Sequence, residues 1–170
     1  MEYFDLIKER FSVRSFKAEK IKSEDIEKIL KAGHLAPTGC NNQPQRIYVL
    51  QSDEAVEQLK ACTKCHFNAP CAMLVCYKKD EAWRRKYDGK SSGVVDASIV
   101  TTHMMLAAAD IGVGTTWVMH FDPSAMVSTF DIPEGIVPVA LLVMGYESED
   151  AKPIDMHFDY RPMSDTVVYK

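Results

Sequence analysis

Val94-Val-Asp-Ala-Ser-Ile-Val-Thr-Thr-His-Met-Met-Leu-Ala-Ala-Ala-Asp-Ile111 is the longest periodic run in the chain. Val95, Ile99, Thr102, Met105, Leu106 and Ala109 recur along one helical stripe. Val100, Met104, Ala107 and Ala108 make the opposite side apolar as well. A helix that is apolar nearly all round is buried, in a core or against a second subunit. In a chain of 170 residues, burying such a helix suggests a dimer. Gly112-Val-Gly114 ends the run with the backbone freedom that a helix C-terminus uses.

The flanking sequence mixes helices and strands. Upstream, Tyr3, Phe4, Ile7 and Phe11 share a helical spacing, so the first residues read as an amphipathic helix ending near Arg10. Ser23 is a candidate N-cap, followed by Glu24 and Asp25 in the first turn, and Ile26, Ile29, Leu30 and Gly33 form one face of a helix that stops before Pro37. Arg46–Gln51 reads as a strand, Ser52 or Asp53 caps a short helix to about Cys62, and Cys71–Tyr77 reads as a buried strand. Downstream, Thr115–Met119 is a short strand, Asp122-Pro123 opens a helix with proline in its first turn, and Ile136–Met144 is a strongly apolar strand. The tail ends in Thr166-Val-Val-Tyr169, which could add an edge strand, and an extended tail of this kind often wraps a partner subunit. With no regular βαβ alternation, repeat or linker, the fold class is α+β in a single domain, 1–170.

Bulk composition excludes several functions. The apolar share of 46% and the charged share of 26% are those of a soluble globular protein. With a net charge of −4 and no basic stripe, no nucleic-acid partner is expected, and the short Trp83-Arg-Arg-Lys86 cluster reads as a solvated face. The apolar segments are too short or too interrupted to span a bilayer, and the acidic, amphipathic Met1–Asp5 does not resemble a secretory leader, so a cytoplasmic location is expected. Five cysteines argue against a disulfide framework. Cys62-Thr-Lys-Cys65 has the spacing of a zinc or redox pair, but Cys71 and Cys76 point to opposite faces of one strand, which spoils a four-cysteine metal site. No metal is expected.

Two short segments carry the chemistry. Arg10-Phe-Ser-Val-Arg14 offers two guanidiniums and a hydroxyl, suited to a phosphate through forked, charge-assisted hydrogen bonds; two surface arginines paired with Glu9 and Glu19 are the other reading. Ala36-Pro-Thr-Gly-Cys-Asn-Asn-Gln-Pro44 lies between a helix and a strand, where loops meet ligands, and its amides match the pyrimidine edge of a flavin ring; an ordinary turn-rich loop is the alternative. Gly112-Val-Gly-Thr-Thr-Trp117 follows a helix and leads into a strand, the reverse of a phosphate loop, and there is no GxGxxG. A nicotinamide cofactor would therefore bind as a transient substrate.

Taken in order, Arg10–Phe16, Pro37–Pro44, the helix from Asp96 through Ala109, Gly112–Trp117 and Met144-Gly-Tyr-Glu-Ser-Glu-Asp-Ala-Lys-Pro153 resemble the nitroreductase family over nearly the whole chain. The resemblance implies a central, mostly antiparallel sheet flanked by helices in an intertwined homodimer. It implies FMN as cofactor, with phosphate contacts from Arg10, Ser12 and Arg14 and a further one from Arg161. Ring contacts would come from Pro37, Thr38, Gly39 and Asn41, in a loop that reaches the flavin of the other subunit, with Thr115, Thr116 and Trp117 as neighbours of the ring. Tyr160 stands where the family often has a basic residue, and Gln45 where it often has an aromatic. The implied activity is ping-pong transfer from NAD(P)H to a nitroaromatic, quinone or related small acceptor. No catalytic side chain is assigned; His103 and His120 are the available proton donors, and each also reads as an ordinary packed or surface histidine. The rivals are a reductive dehalogenase on the same scaffold and a non-enzymatic flavin or thiol redox sensor using Cys62 and Cys65.

Overall fold

The computed structural model describes residues 2–170. Its centre is a four-stranded, wholly antiparallel sheet in the order β1-β2-β4-β3, where β1 is Gln45–Leu50, β2 Cys71–Lys78, β3 Gly114–Val118 and β4 Ile136–Gly145. Alternation along the two central strands, broken in β4 at Val139, divides the core into two layers. Cys71, Met73 and Val75 of β2 join Ala140, Leu142 and Met144 of β4 under helices α2 (Ser23–His34) and α4 (Gly93–Asp110). Ala72, Leu74, Cys76, Leu141 and Val143 face the other way, under α3 (Asp53–Cys62) and α5 (Pro123–Thr129). The α+β class and the antiparallel sheet expected from the sequence are both present.

The sequence of β4 explains an irregularity in the sheet. Pro138 has no N–H to give to a ladder, and the register slips at this point, with Val75 opposite Ala140 but Cys76 opposite Pro138. The extra residue, Val139, forms a bulge, and a central strand thereby tolerates a proline.

Helix α4 lies on the sheet through Ala97, Val100, Thr101, Met104 and Ala108, all buried. Gly33 of α2 lets the two helices approach, since a Cβ there would lie 2.8 Å from Met104 Cγ. The opposite stripe, from Val95 through Ile99, Thr102 and Leu106, is half-buried or exposed, and Val94 and Val95 are each more than half exposed. Helix α1 (Tyr3–Glu9) ends at Arg10, as its spacing predicts. Ser52 caps α3 by accepting from the Ala55 N–H, and Asp122 caps α5 by accepting from the N–H groups of Ser124 and Ala125.

Two local expectations are corrected. Ser23 is the first residue of α2 and not its cap; Lys22 holds that position and no side chain caps the helix. Thr166–Tyr169 adds no strand: the tail runs through two 3-10 turns, Asp155–Phe158 and Met163–Asp165, and stays exposed to its end. Its β-branched residues have strand propensity, but no sheet edge runs beside them.

Candidate functional site

Arg10 leaves α1 in an extended conformation (φ −58, ψ 126), so Arg10 and Arg14 do not share a helical face. They line two adjoining clefts instead, with Phe11 lining both. Val13, 1% exposed, is the inward plug. Its N–H donates to the Thr115 carbonyl at 2.9 Å, its carbonyl accepts a short bond from the Thr116 hydroxyl, and Ser12 bridges to Thr115 in parallel. Pinned against β3 in this way, Ser12 and Arg14 open into one cleft of about 170 Å³, closed by Pro153, Ile154, Met156 and His157. Among the described residues Arg14 Nη1 donates to the Ser12 carbonyl alone, at 3.1 Å. Phe11 also lines the adjoining cleft, which holds Arg10, Thr115, Glu9 and Glu147 at the C-terminal end of α4. Partial burial pulls the Arg10 guanidinium below its ordinary value, against the opposing pull of Tyr160, and burial pushes the Glu147 carboxyl up. Thr115 is 2% exposed, and its hydroxyl has no partner among the described residues. A buried hydroxyl left so costs about 1–3 kcal/mol unless a ligand or solvent meets it. Arg10 stands in the Thr115 cleft and Ser12 and Arg14 in the one beside it, and guanidiniums with a hydroxyl are the donor types that a phosphate takes.

The loop Pro37–Pro44 is unusual backbone. Gly39–Asn41 makes one 3-10 turn, and Cys40, Asn41 and Gln43 all take positive φ, of 52, 55 and 51°. Non-glycine residues held in the left-handed region persist only where their surroundings fix them. Here the Gln43 N–H donates to Thr38 Oγ1 at 3.0 Å and the Asn42 amide to the Glu81 carbonyl at 3.0 Å. The Gly39 N–H donates to Asp96 Oδ1 at 2.9 Å. Asp96, 2% exposed in the first turn of α4, accepts a second bond from Ser92 Oγ at 2.6 Å. Asp96 and Ser92 fix the loop through these bonds, a part the sequence reading did not give them; their i, i+4 spacing at a helix start was the available signal. Asn41 itself remains exposed and open to a ligand.

The structure sets Arg10 and Thr115 in one cleft and Ser12 and Arg14 in the adjoining one, with Thr116 bonded to Val13 between them and Trp117 next along β3, packed on the α2/α4 side of the core. It does not bring Pro37, Thr38, Gly39 or Asn41 to them. The loop is fixed at Asp96 near the start of α4, and the Arg10 cleft touches Ala109 near its end. At 1.5 Å per residue these points are about 20 Å apart. Arg161 is exposed in the tail, beyond the turn whose His157 ring packs edge-on against Phe11 at 6.5 Å.

Three of the five thiols are buried in packing, while Cys40 is exposed and Cys65 half-buried. Cys71 and Cys76 are buried in β2, and burial pushes each up to about 12. Cys62 is 3% exposed, with its sulfur 3.6 Å from Thr129 Oγ1. Among the described residues no cluster of His, Cys, Asp or Glu has the make-up of a metal site, and no helix is long and apolar enough to cross a membrane. His103 and His120 are both exposed.

Comparison with known proteins identifies the family and the fold. The sequence model described as the Nitroreductase family matches residues 7–70 and 60–146. A protein of Archaeoglobus fulgidus assigned as an NADH dehydrogenase/NAD(P)H nitroreductase is 32% identical over 156 residues, covering 88% of this chain and 87% of its own. The crystal structure of a nitroreductase family protein from Clostridium difficile 630 superposes with a TM-score of 0.94 at 38% identity, covering 100% of this chain and 99% of that one. An FMN-dependent nitroreductase from Clostridium difficile R20291 shares the fold, with a TM-score of 0.79 at 24% identity and 98% of each chain covered.

Proposed function

The chain belongs to the nitroreductase family, and on that premise we propose that it is a homodimeric, FMN-dependent oxidoreductase exchanging reducing equivalents between NAD(P)H and a nitroaromatic, quinone or related acceptor. The observation that carries this reading is the phosphate-fitting set of Arg10, Ser12 and Arg14, pinned to β3 beside the unpartnered Thr115 hydroxyl.

In this reading Arg10, Ser12 and Arg14 hold the phosphate by charge-assisted hydrogen bonds, with Arg161 adding a cation from the tail. Thr115, whose hydroxyl has no partner among the described residues, lines the Arg10 cleft beside them. The Thr116 hydroxyl is committed to the Val13 carbonyl, so its part is to keep the phosphate segment in register. Trp117 packs behind them on the core. Pro37, Thr38, Gly39 and Asn41 lie at the far end of α4 and cannot serve the same ligand in one chain. They serve the flavin whose phosphate the other protomer holds, and the half-exposed stripe of α4 and the exposed apolar tail supply the surface between the two. When bound, FMN supplies the two-electron chemistry, while the chain orients the reactants and keeps water out.

The test is the visible spectrum of the purified protein, followed by anaerobic titration with NADPH and NADH. Bound flavin that bleaches on titration is the expected result. A colourless protein that also fails to take up added FMN overturns the proposal.

A further inference from the structure

The segment Trp83–Ser92 is a hairpin rooted on the Pro37–Pro44 loop. The Ser92 N–H donates to the Trp83 carbonyl at 2.8 Å, the Arg85 N–H to the Lys90 carbonyl at 3.0 Å, and the Gly89 N–H to the Arg85 carbonyl at 2.8 Å. Gly89 turns the tip with φ +70°. A Cβ on Gly39 would sit 3.1 Å from both Trp83 Cβ and Ser92 Oγ, and the Asn42 amide bonds to the Glu81 carbonyl just before the hairpin. The arm is therefore fixed to the ring-side loop at its base, and residues 83–90 are exposed.

Its charge is concentrated. Arg84, Arg85, Lys86 and Lys90 stand against one acid, Asp88. Asp88 is taken by Arg85, with contacts of 2.9 and 2.5 Å. At the base, Arg46 and Lys78 are taken by Glu81. Among the described residues Arg84, Lys86 and Lys90 make no ion pair, and they are interleaved with Trp83 and with Tyr87, whose side chain is 98% exposed.

We infer that this arm binds the phosphorylated adenosine end of the electron donor and makes the enzyme prefer NADPH to NADH. The inference rests on the proposed oxidoreductase function. A nicotinamide stacked on a ring at the Pro37–Pro44 loop leaves the rest of the dinucleotide to extend past the loop, and the adjoining surface is the arm. A phosphate monoester carries nearly two negative charges at neutral pH. Unpaired surface cations act on it across a Debye length of about 8 Å, and the two aromatic faces offer stacking for adenine. NADH lacks that monoester and gains only what the shared diphosphate provides.

The FMN-loaded enzyme is assayed with each donor, in the wild type and in an Arg84→Ala/Lys86→Ala/Lys90→Ala variant. In the variant, kcat/KM for NADPH should fall by about tenfold or more and that for NADH by less than about threefold, with kcat and flavin content unchanged. Added salt should reproduce the NADPH loss in the wild type. An NADPH-to-NADH ratio that is the same in both proteins, or that favours NADH in the wild type, overturns the inference while leaving the oxidoreductase intact. Flavin that neither donor reduces overturns both.

Discussion

A guanidinium whose one hydrogen bond among the described residues goes to a neighbouring carbonyl is free to meet a ligand, and Arg14 is in that position. Replacing it removes a charged hydrogen bond to the proposed phosphate, so Arg14→Ala should weaken FMN binding by about 1.5–3 kcal/mol. Fluorescence titration of the apoprotein measures this directly, and an unchanged affinity would remove Arg14 from the site. Asp96 makes the complementary case. Its carboxylate is the acceptor for the Gly39 N–H and the Ser92 hydroxyl, so Asp96→Ala strands two donors and should cost about 1–3 kcal/mol of stability. Asp96→Asn keeps an acceptor for Gly39 and should lose less; equal urea midpoints for the wild type and the alanine variant would contradict this account. The two residues differ in how legible they were. Arg10, Ser12 and Arg14 put two guanidiniums and a hydroxyl within five letters of sequence, so the proposed phosphate set can be picked out without the fold. The role of Asp96 depends on a backbone N–H 57 positions away, and one acid in a helical first turn looks like any other.

Among the elements, β2 and α4 were the most readable, because their apolar runs are long; which face of α4 meets the sheet was not, since both of its faces are apolar. The opposition of Cys71 and Cys76 followed from their odd spacing, and the structure puts them in different core layers. Their burial has a consequence for stability. Both thiols are raised from the ordinary 9.0 to about 12 in the folded chain. Below pH 9 they are neutral in both states and contribute nothing. Above it the unfolded chain ionises while the folded one resists, so stability falls as pH rises from 9 toward 12. At one pH unit above 9 the loss is about 1.4 kcal/mol per thiol. Urea midpoints at pH 8 and pH 10 should therefore separate more for the wild type than for a Cys71→Ala/Cys76→Ala variant, and equal separations would refute the burial account. The tail was misread for a related reason. Thr166-Val-Val-Tyr169 has strand propensity, but a strand needs a free edge, and propensity says nothing of where edges lie.

At the scale of the whole molecule, two facts point the same way. The proposed phosphate set and the proposed ring loop lie at opposite ends of α4, too far apart to grip one flavin. The tail from Ile154 to Tyr169 also exposes Ile154, Met156, Phe158, Tyr160, Met163, Val167, Val168 and Tyr169, far more apolar side chain than a monomer's surface tail carries. A second copy would resolve both, by burying the tail and α4's open stripe and by completing each site with the other chain's loop. The full chain should then sediment as a dimer at micromolar concentration, and a chain ending at Pro153 should shift toward monomer and lose FMN together with the partner. Loss of FMN without monomerisation would reduce the tail to its own phosphate contact through Arg161. A full-length monomer that holds FMN tightly would mean that Arg10, Ser12, Arg14 and Thr115 bind the cofactor alone, and the Pro37–Pro44 loop would then need another role.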